Sequence, residues 1–218
     1  MATLEQVWAH REEVVYPNIF GSIGEGIYPL SADLFSSTFR QESIDPRWLH
    51  VGVFQCPPTN TRPSWIYISS GLSNPWDDEP EAITAHEYSG LGVEFVLETP
   101  EAAQWAIIIL QRMVGYEILL AHGRFGDMPP LDYGHRIPLR GSIALNQPSE
   151  LHNLLIVEPD HYPASFDLAS GRVDFLHFIG ITDTELAYAK ASSSADLAAL
   201  LKAKRVYPMT NPTRSTIV

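Results

Sequence analysis

A single cysteine, Cys56, stands among the 218 residues, which excludes an internal disulfide and any metal site built from several cysteines. Basic residues are scarce as well: 14 Lys and Arg face 26 Asp and Glu, a net charge of −12. That balance argues against nucleic acid or an anionic membrane as partner and suits a basic protein. Charged residues are only 18% of the chain, below the usual quarter or so, while 17 prolines point to many ordered turns. No apolar run approaches about 20 residues, since Gln111 and Arg112 end the run at 105–110; no membrane-spanning helix is expected. The opening Met1-Ala-Thr-Leu-Glu-Gln-Val-Trp8 has no basic region followed by an apolar core, so no signal peptide is read and a cytoplasmic protein is expected. What the chain does have is 45% hydrophobic residues and five Trp, enough to bury a real core.

The rest of the chain is organised around residues 88–121. In Gly92-Val-Glu-Phe-Val-Leu-Glu98, Val93, Phe95 and Leu97 share one face and Glu94, Val96 and Glu98 the other, the period of a strand covered well on one side. Thr99-Pro100-Glu101 supplies an N-cap hydroxyl, a first-turn proline and an acid for the helix dipole, so a helix is expected from Pro100. Ala102, Trp105, Ala106, Ile109, Met113 and Tyr116 repeat at helical spacing, and Ile107, Ile108 and Leu110 widen the apolar girth. This is read as a core helix on its sheet, with Trp105, Phe95 and Phe175 as core residues.

Upstream, residues 3–15 read as an amphipathic helix with Leu4, Val7, Trp8, Val14 and Val15 inward and Arg11 outward, and 16–36 as irregular. Short strands are expected at 50–54 and 65–69, the second covered on both faces; turns and an acidic loop at 76–81 follow. Downstream, a long loop at 123–134 leads to a strand at 135–139, which Pro138 assigns to a sheet edge. Strands at 151–157 and 172–181 follow, the latter apolar on both faces and therefore central. Thr182-Asp-Thr-Glu185 is a capping box for a helix through Lys190, and a last helix covers 196–204. With no repeat and no linker, the chain reads as one α+β domain over 1–218.

Motifs of chemistry are missing. There is no G-x-S-x-G elbow, no P-loop and no HExxH; Gly21-Ser-Ile-Gly-Glu-Gly26 has no strand feeding it and reads as a loop. The eight histidines stand singly, and each reads as a surface or satisfied residue rather than a ligand. A metal site from distant residues such as His135, His161 and Asp160 stays open as an alternative. His177, on an apolar strand face, reads as a core histidine bonded to a neighbour. Cys56, before two prolines, reads as a buried inert thiol, and Asp77-Asp78-Glu79 as a solvated loop. The residues assemble no catalytic site and call for no cofactor.

Several motifs resemble one family. Trp65-Ile-Tyr-Ile-Ser-Ser-Gly-Leu-Ser-Asn74 resembles the "YIS-x-GLS" signature of the Suppressor of fused domain, and Gly90-Leu-Gly-Val-Glu-Phe95 its "GFGFEL" strand. Trp105 with Tyr116 is similar to its W…Y helix, and Leu154-Leu-Ile-Val-Glu-Pro159 to "LL-x-x-DP". Gly171-Arg-Val-Asp-Phe-Leu-His-Phe-Ile-Gly-Ile-Thr182 before Glu185-Leu186 resembles "GxVxFLQxVGVTxEEL", and Thr210-Asn-Pro-Thr-Arg214 resembles "TDxxR". The likeness runs in order over about 45–217.

The resemblance implies a central mixed sheet flanked by helices and no known catalysis. Animal members sequester a transcription factor through an extended peptide and carry a second domain. A free-standing single domain resembles bacterial members proposed as immunity proteins against secreted toxins. In the animal peptide grip a Tyr near the end of the core helix takes part, which Tyr116 matches; the acid of that grip falls near Gly134, with Asp132 two residues away.

A non-enzymatic protein-binding module is therefore expected, with a basic, toxin-like protein as partner; a scattered-site metal-dependent hydrolase and a homo-oligomeric structural protein are the alternatives. The partner surface is placed at Tyr116, Phe125, Asp127, Leu131, Asp132, Tyr133 and His135, where exposed apolar side chains of the 123–134 loop, Met128 among them, sit beside acids.

Overall fold

A computed structural model describes residues 2–24, 26–144 and 147–218. Eight strands form one mixed sheet in the order β1-β2-β3-β4-β8-β6-β5, with β7 also pairing to β8. The strands are β1 (Tyr28–Pro29), β2 (Gly52–Cys56), β3 (Trp65–Ser70), β4 (Tyr88–Thr99), β5 (Arg136–Pro138), β6 (Leu151–Val157), β7 (Ser165–Leu168) and β8 (Gly171–Thr182). The helices are α1 (Leu4–Ala9), α2 (Tyr16–Phe20), α3 (Ala32–Phe39), α4 (Gln104–Ala121), α5 (Asp183–Ala191) and α6 (Ser194–Ala203).

The sheet consists of two antiparallel halves, β1 to β4 and β8-β6-β5, joined at one parallel seam where β4 lies beside β8. Apolar runs on both strands explain that central position, since only a strand covered on both faces can bury Phe95, Val96 and Leu97 in succession. One face carries α4 over Tyr67, Phe95, Leu97, Leu176 and Phe178. The other carries the N-terminal helices, which pack Val7, Tyr16 and Phe20 on Ile66, Val96 and Phe175. β4 is thus covered on two sides rather than one. α5 and α6 close a third cluster over Leu155, Ile179 and Ile181.

The core helix starts later than Pro100. β4 keeps its ladder as far as Thr99, opposite Trp65, so the chain must turn before a helix can lie back on the sheet. The Thr99 hydroxyl donates to the Glu101 carbonyl instead of capping, and the Ala103 N–H donates to the Tyr67 hydroxyl at 2.6 Å. The inward stripe of α4 is Ala106, Leu110 and Val114, whereas Trp105 and Tyr116 are half-buried and Ala102 is exposed. A helix apolar nearly all round gives no moment to fix its rotation.

The N-terminal reading also needs correction. Residues 10–15 form a π-helical turn between α1 and α2, and Pro17 has no N–H to give to the preceding turn. The wider turn reverses two expected orientations: Arg11 is 1% exposed and Val14 is 44% exposed. α2 and α3 replace much of the irregular stretch expected at 16–36. In the glycine-bearing loop at 21–26, Glu25 lies outside the described residues.

Two family motifs meet at Glu94. This fully buried carboxylate accepts the N–H groups of Gly71 (2.9 Å) and Ser73 (3.0 Å) and the hydroxyls of Ser69 and Ser73. Arg11 lies 3.9 Å away and donates to Ser73 Oγ and Asn74 Oδ1. The 71–74 turn wraps around an acid on β4, and Gly90 lets it approach: a Cβ there would lie 2.5 Å from the Asn74 carbonyl oxygen. At the other end, both arms of the Thr182 capping box form. Glu185, itself fully buried, holds Arg214 at 2.6 Å, while Gly180 donates to Thr210 Oγ1.

Candidate partner-binding surface

α4 ends at Ala121 and the chain leaves through Gly123, whose φ of +75° is left-handed, into the 123–134 loop. The loop returns to β5, which pairs only with β6 among the described strands and forms a sheet edge as Pro138 requires. Phe125 is half-buried and stacks on Tyr116 with ring centroids 4.9 Å apart. Leu131 is buried rather than exposed, and its N–H donates to Glu117 Oε2 at 3.1 Å. Tyr133 is half-buried as well, because its hydroxyl reaches back to the Phe175 carbonyl. Burial pushes that phenol well up from its ordinary range. These apolar side chains fold back because each finds a partner in the domain, which period and composition do not show.

Outward there remain Asp127, Asp132 and Met128, the last 53% exposed, together with Arg124, Pro129 and Pro130. Asp132 accepts the Tyr133 N–H, and the Asp132 N–H donates to His135 Nδ1, so Asp132, Tyr133 and His135 form one turn. His135 then accepts the Ile156 N–H, and Gly134 donates to the Ile156 carbonyl, which extends the ladder past β5. Ser194 of α6 closes on the Gly134 carbonyl at 2.6 Å. A groove of about 680 Å³ lies alongside, between Tyr133, the end of β6 and α6. Of the seven expected residues, Tyr116 stacks on Phe125, Leu131 packs into the core, and Asp132, Tyr133 and His135 share one turn at the sheet edge, while Asp127 is exposed and bonds to none of them among the described residues.

The histidines arrange themselves differently. His177 is fully buried, accepts from the Tyr162 hydroxyl at Nδ1 and donates from Nε2 to the Pro208 carbonyl. Burial lowers its pKa to about 4, so it is a neutral, satisfied core histidine. His161 reaches Glu98 at 2.9 Å and the Tyr207 hydroxyl at 3.1 Å, and Asp160 pairs with Lys202. His135 belongs to the turn described above, not to this network. Among the described residues no group of three or more His, Cys, Asp or Glu is placed to hold a metal ion. Cys56 is buried and its thiol is pushed up to about 12 by desolvation.

Glu98 was invisible to strand periodicity, which put it on an outer face. Burial raises its carboxyl, yet hydrogen bonds from His161 and Ser64 hold it below its usual range. We expect His161→Ala to cost about 1–3 kcal/mol by leaving that carboxylate underbonded. Urea unfolding measures it; a loss within error would mean that water replaces the imidazole.

A family model described as Suppressor of fused protein matches residues 47–215. Among solved structures the chain is similar to Drosophila Suppressor of Fused, at 23% identity and TM-score 0.60, over 76% of this chain and 42% of that one. It is similar to a chain of the Sufu-Fu complex, at 22% identity and TM-score 0.64, over 98% and 91%. A third is a Suppressor of fused homologue from Neisseria gonorrhoeae, at 20% identity and TM-score 0.55, over 77% and 78%. No curated protein matches the sequence. The chain spans less than half of the Drosophila protein's length. No helix of the described residues is long and apolar enough to cross a membrane. The matched model covers most of the chain, its motifs build the Glu94 turn and the Glu185 clasp, and the chain belongs to the Suppressor of fused family.

Proposed function

We propose that the chain is a non-enzymatic, cytoplasmic protein-binding module that sequesters a basic protein, of the kind a bacterial immunity protein neutralises in a secreted toxin. One observation carries the reading: among the described strands β5 is an open sheet edge, and it adjoins a loop that turns Asp127, Asp132 and Met128 outward, with Arg124 as its one basic residue. An edge strand offers unpaired backbone groups to an extended segment, and acids beside an apolar contact suit a cationic one. The net charge of −12 steers such a partner in from a distance. One chain similar in structure comes from the Sufu-Fu complex, so a relative of this fold is seen with a protein partner.

Co-expression with toxin-type proteins encoded beside it should protect growth and give a stoichiometric complex on size exclusion. Neither Asp127 nor Met128 bonds to the fold among the described residues, so Asp127→Lys with Met128→Ser should weaken that complex roughly tenfold to a hundredfold at an unchanged melting temperature. Raised salt should slow association. Absence of any complex, or equal affinity for the double variant, would remove this surface from consideration.

A further inference from the structure

Among the described residues four glutamates are buried, and three of them face a basic side chain. Glu94 has Arg11, Glu98 has His161 and Glu185 has Arg214. Glu117 on α4, 2% exposed, is in none of the ion pairs of the described residues. Its hydrogen-bond partner is the backbone N–H of Leu131, across the root of the 123–134 loop.

That loop has the build of a movable flap. Gly123, Gly126 and Gly134 take left-handed φ values of +75°, +68° and +82°, and a Cβ at Gly123 or Gly126 would meet nothing. Most of residues 121–130 are exposed, and the loop is tied down mainly at its two ends: Arg124 to the Leu119 carbonyl and Phe125 on Tyr116 at the start, Leu131 on the core and Glu117, Tyr133 on Phe175, and Gly134 on Ile156 and Ser194 at the close.

We propose that Glu117 is a proton-operated latch that sets whether the 123–134 loop lies closed on the domain or lifts away. Its role in partner binding rests on the reading given above; the latch itself does not. When protonated, the carboxyl is neutral and its carbonyl oxygen accepts the Leu131 N–H inside apolar surroundings. When ionised, it is a buried charge with no cation, and lifting the loop to admit water relieves it. Tyr116, on the same helix, is the titratable neighbour that feels this charge. Burial pushes the carboxyl up to about 7, with the Leu131 N–H pulling back.

The sign follows from linkage. The closed loop binds the proton more tightly than the open one, so closure is fully favoured below the ordinary carboxyl range near 4.5 and is lost as pH rises to about 7. Above that the equilibrium levels off. Near neutrality the Glu117 carboxyl is close to half-ionised, and a cationic segment arriving beside Asp127 and Asp132 would favour the ionised, open form, freeing Leu131 as a further apolar contact.

The free protein tests this. Exchange protection of the Leu131 amide, taken relative to its intrinsic rate, should fall about tenfold per pH unit between pH 5 and 7 and then level. The Glu117 side-chain carboxyl carbon, followed by NMR, should titrate with the same midpoint. In Glu117→Gln, whose amide oxygen still accepts the N–H, protection should be independent of pH. A carboxyl midpoint near 4.5, protection that ignores pH in the parent, or a slope that survives in the variant would each overturn the latch. If the variant does not fold, the shared midpoint in the parent protein decides. No partner is used, so failure of the binding reading and failure of the latch are separate results.

Discussion

Glu94→Ala is expected to cost about 3–5 kcal/mol, because it leaves buried Arg11 with only the part-exposed Glu12, 3.0 Å away, as counter-charge and empties a carboxylate site that several donors share. The same truncation orphans the N–H groups of Gly71 and Ser73 and the hydroxyl of Ser69, all of which end on this carboxylate. Equilibrium unfolding in urea measures the loss. A double variant, Arg11→Met with Glu94→Gln, should be less destabilised than Glu94→Ala alone, since the cation and the acid are removed together, Glu12 can turn to water, and the amide still accepts one N–H. The idea fails if Glu94→Ala unfolds within about 1 kcal/mol of the parent, or if the double variant simply adds a second full penalty. The result bears on the family signature: the turn after β3 is kept in shape by an acid on β4, so the two motifs behave as one unit.

Phe175→Ala should cost a similar amount, about 3–5 kcal/mol, for a different reason. Phe175 is fully buried, and its ring lies 4.9 Å from Phe166, 5.5 Å from Phe20, 5.8 Å from Tyr162 and 6.4 Å from Tyr16. The cavity would open where the N-terminal helix meets the sheet. Trp105→Ala should cost roughly 1–2 kcal/mol despite the larger side chain, because Trp105 sits half-buried on the flank of α4. Thermal and urea unfolding of the two variants side by side decides it. Equal losses would mean that α4 turns Trp105, not Ala106 and Leu110, toward the sheet.

Strands showed themselves in the sequence where both faces are apolar. β8 reads as central because Val173, Phe175, Ile179 and Ile181 fill one face and Leu176 and Phe178 the other, and Pro138 alone places β5 at an edge. Family motifs added the mixed sheet. The rotation of α4 could not be read, since residues apolar around its whole girth fit any orientation. Nor could the inward turn of Arg11, which follows from a π-helical turn that no spacing announces. β7 is four residues, Ser165-Phe-Asp-Leu168, too short to carry a period. At the partner surface, Pro129-Pro130 and the flanking glycines mark the loop, and Asp127 and Asp132 its acidity. Leu131 looks exposed in sequence because its loop carries no period, yet its side chain joins the core and its N–H finds Glu117, a residue on the preceding helix whose own burial goes against its type.

The parallel seam has a consequence for how the chain is made. β4 can pair with β3 as soon as it is synthesised, but the strand that covers its other edge comes about eighty residues later, where Leu97 meets Phe178. At roughly 5–20 residues per second that is an interval of several seconds on the ribosome. Throughout it the nascent chain carries a long strand edge bearing Phe95, Val96 and Leu97 with nothing alongside, open to pairing with a neighbouring copy. Slower translation across the 123–134 loop would lengthen that exposure, whereas lower temperature, fewer nascent copies or a bound chaperone would limit its damage, so yield in expression should depend on these more than on the stability of the finished domain.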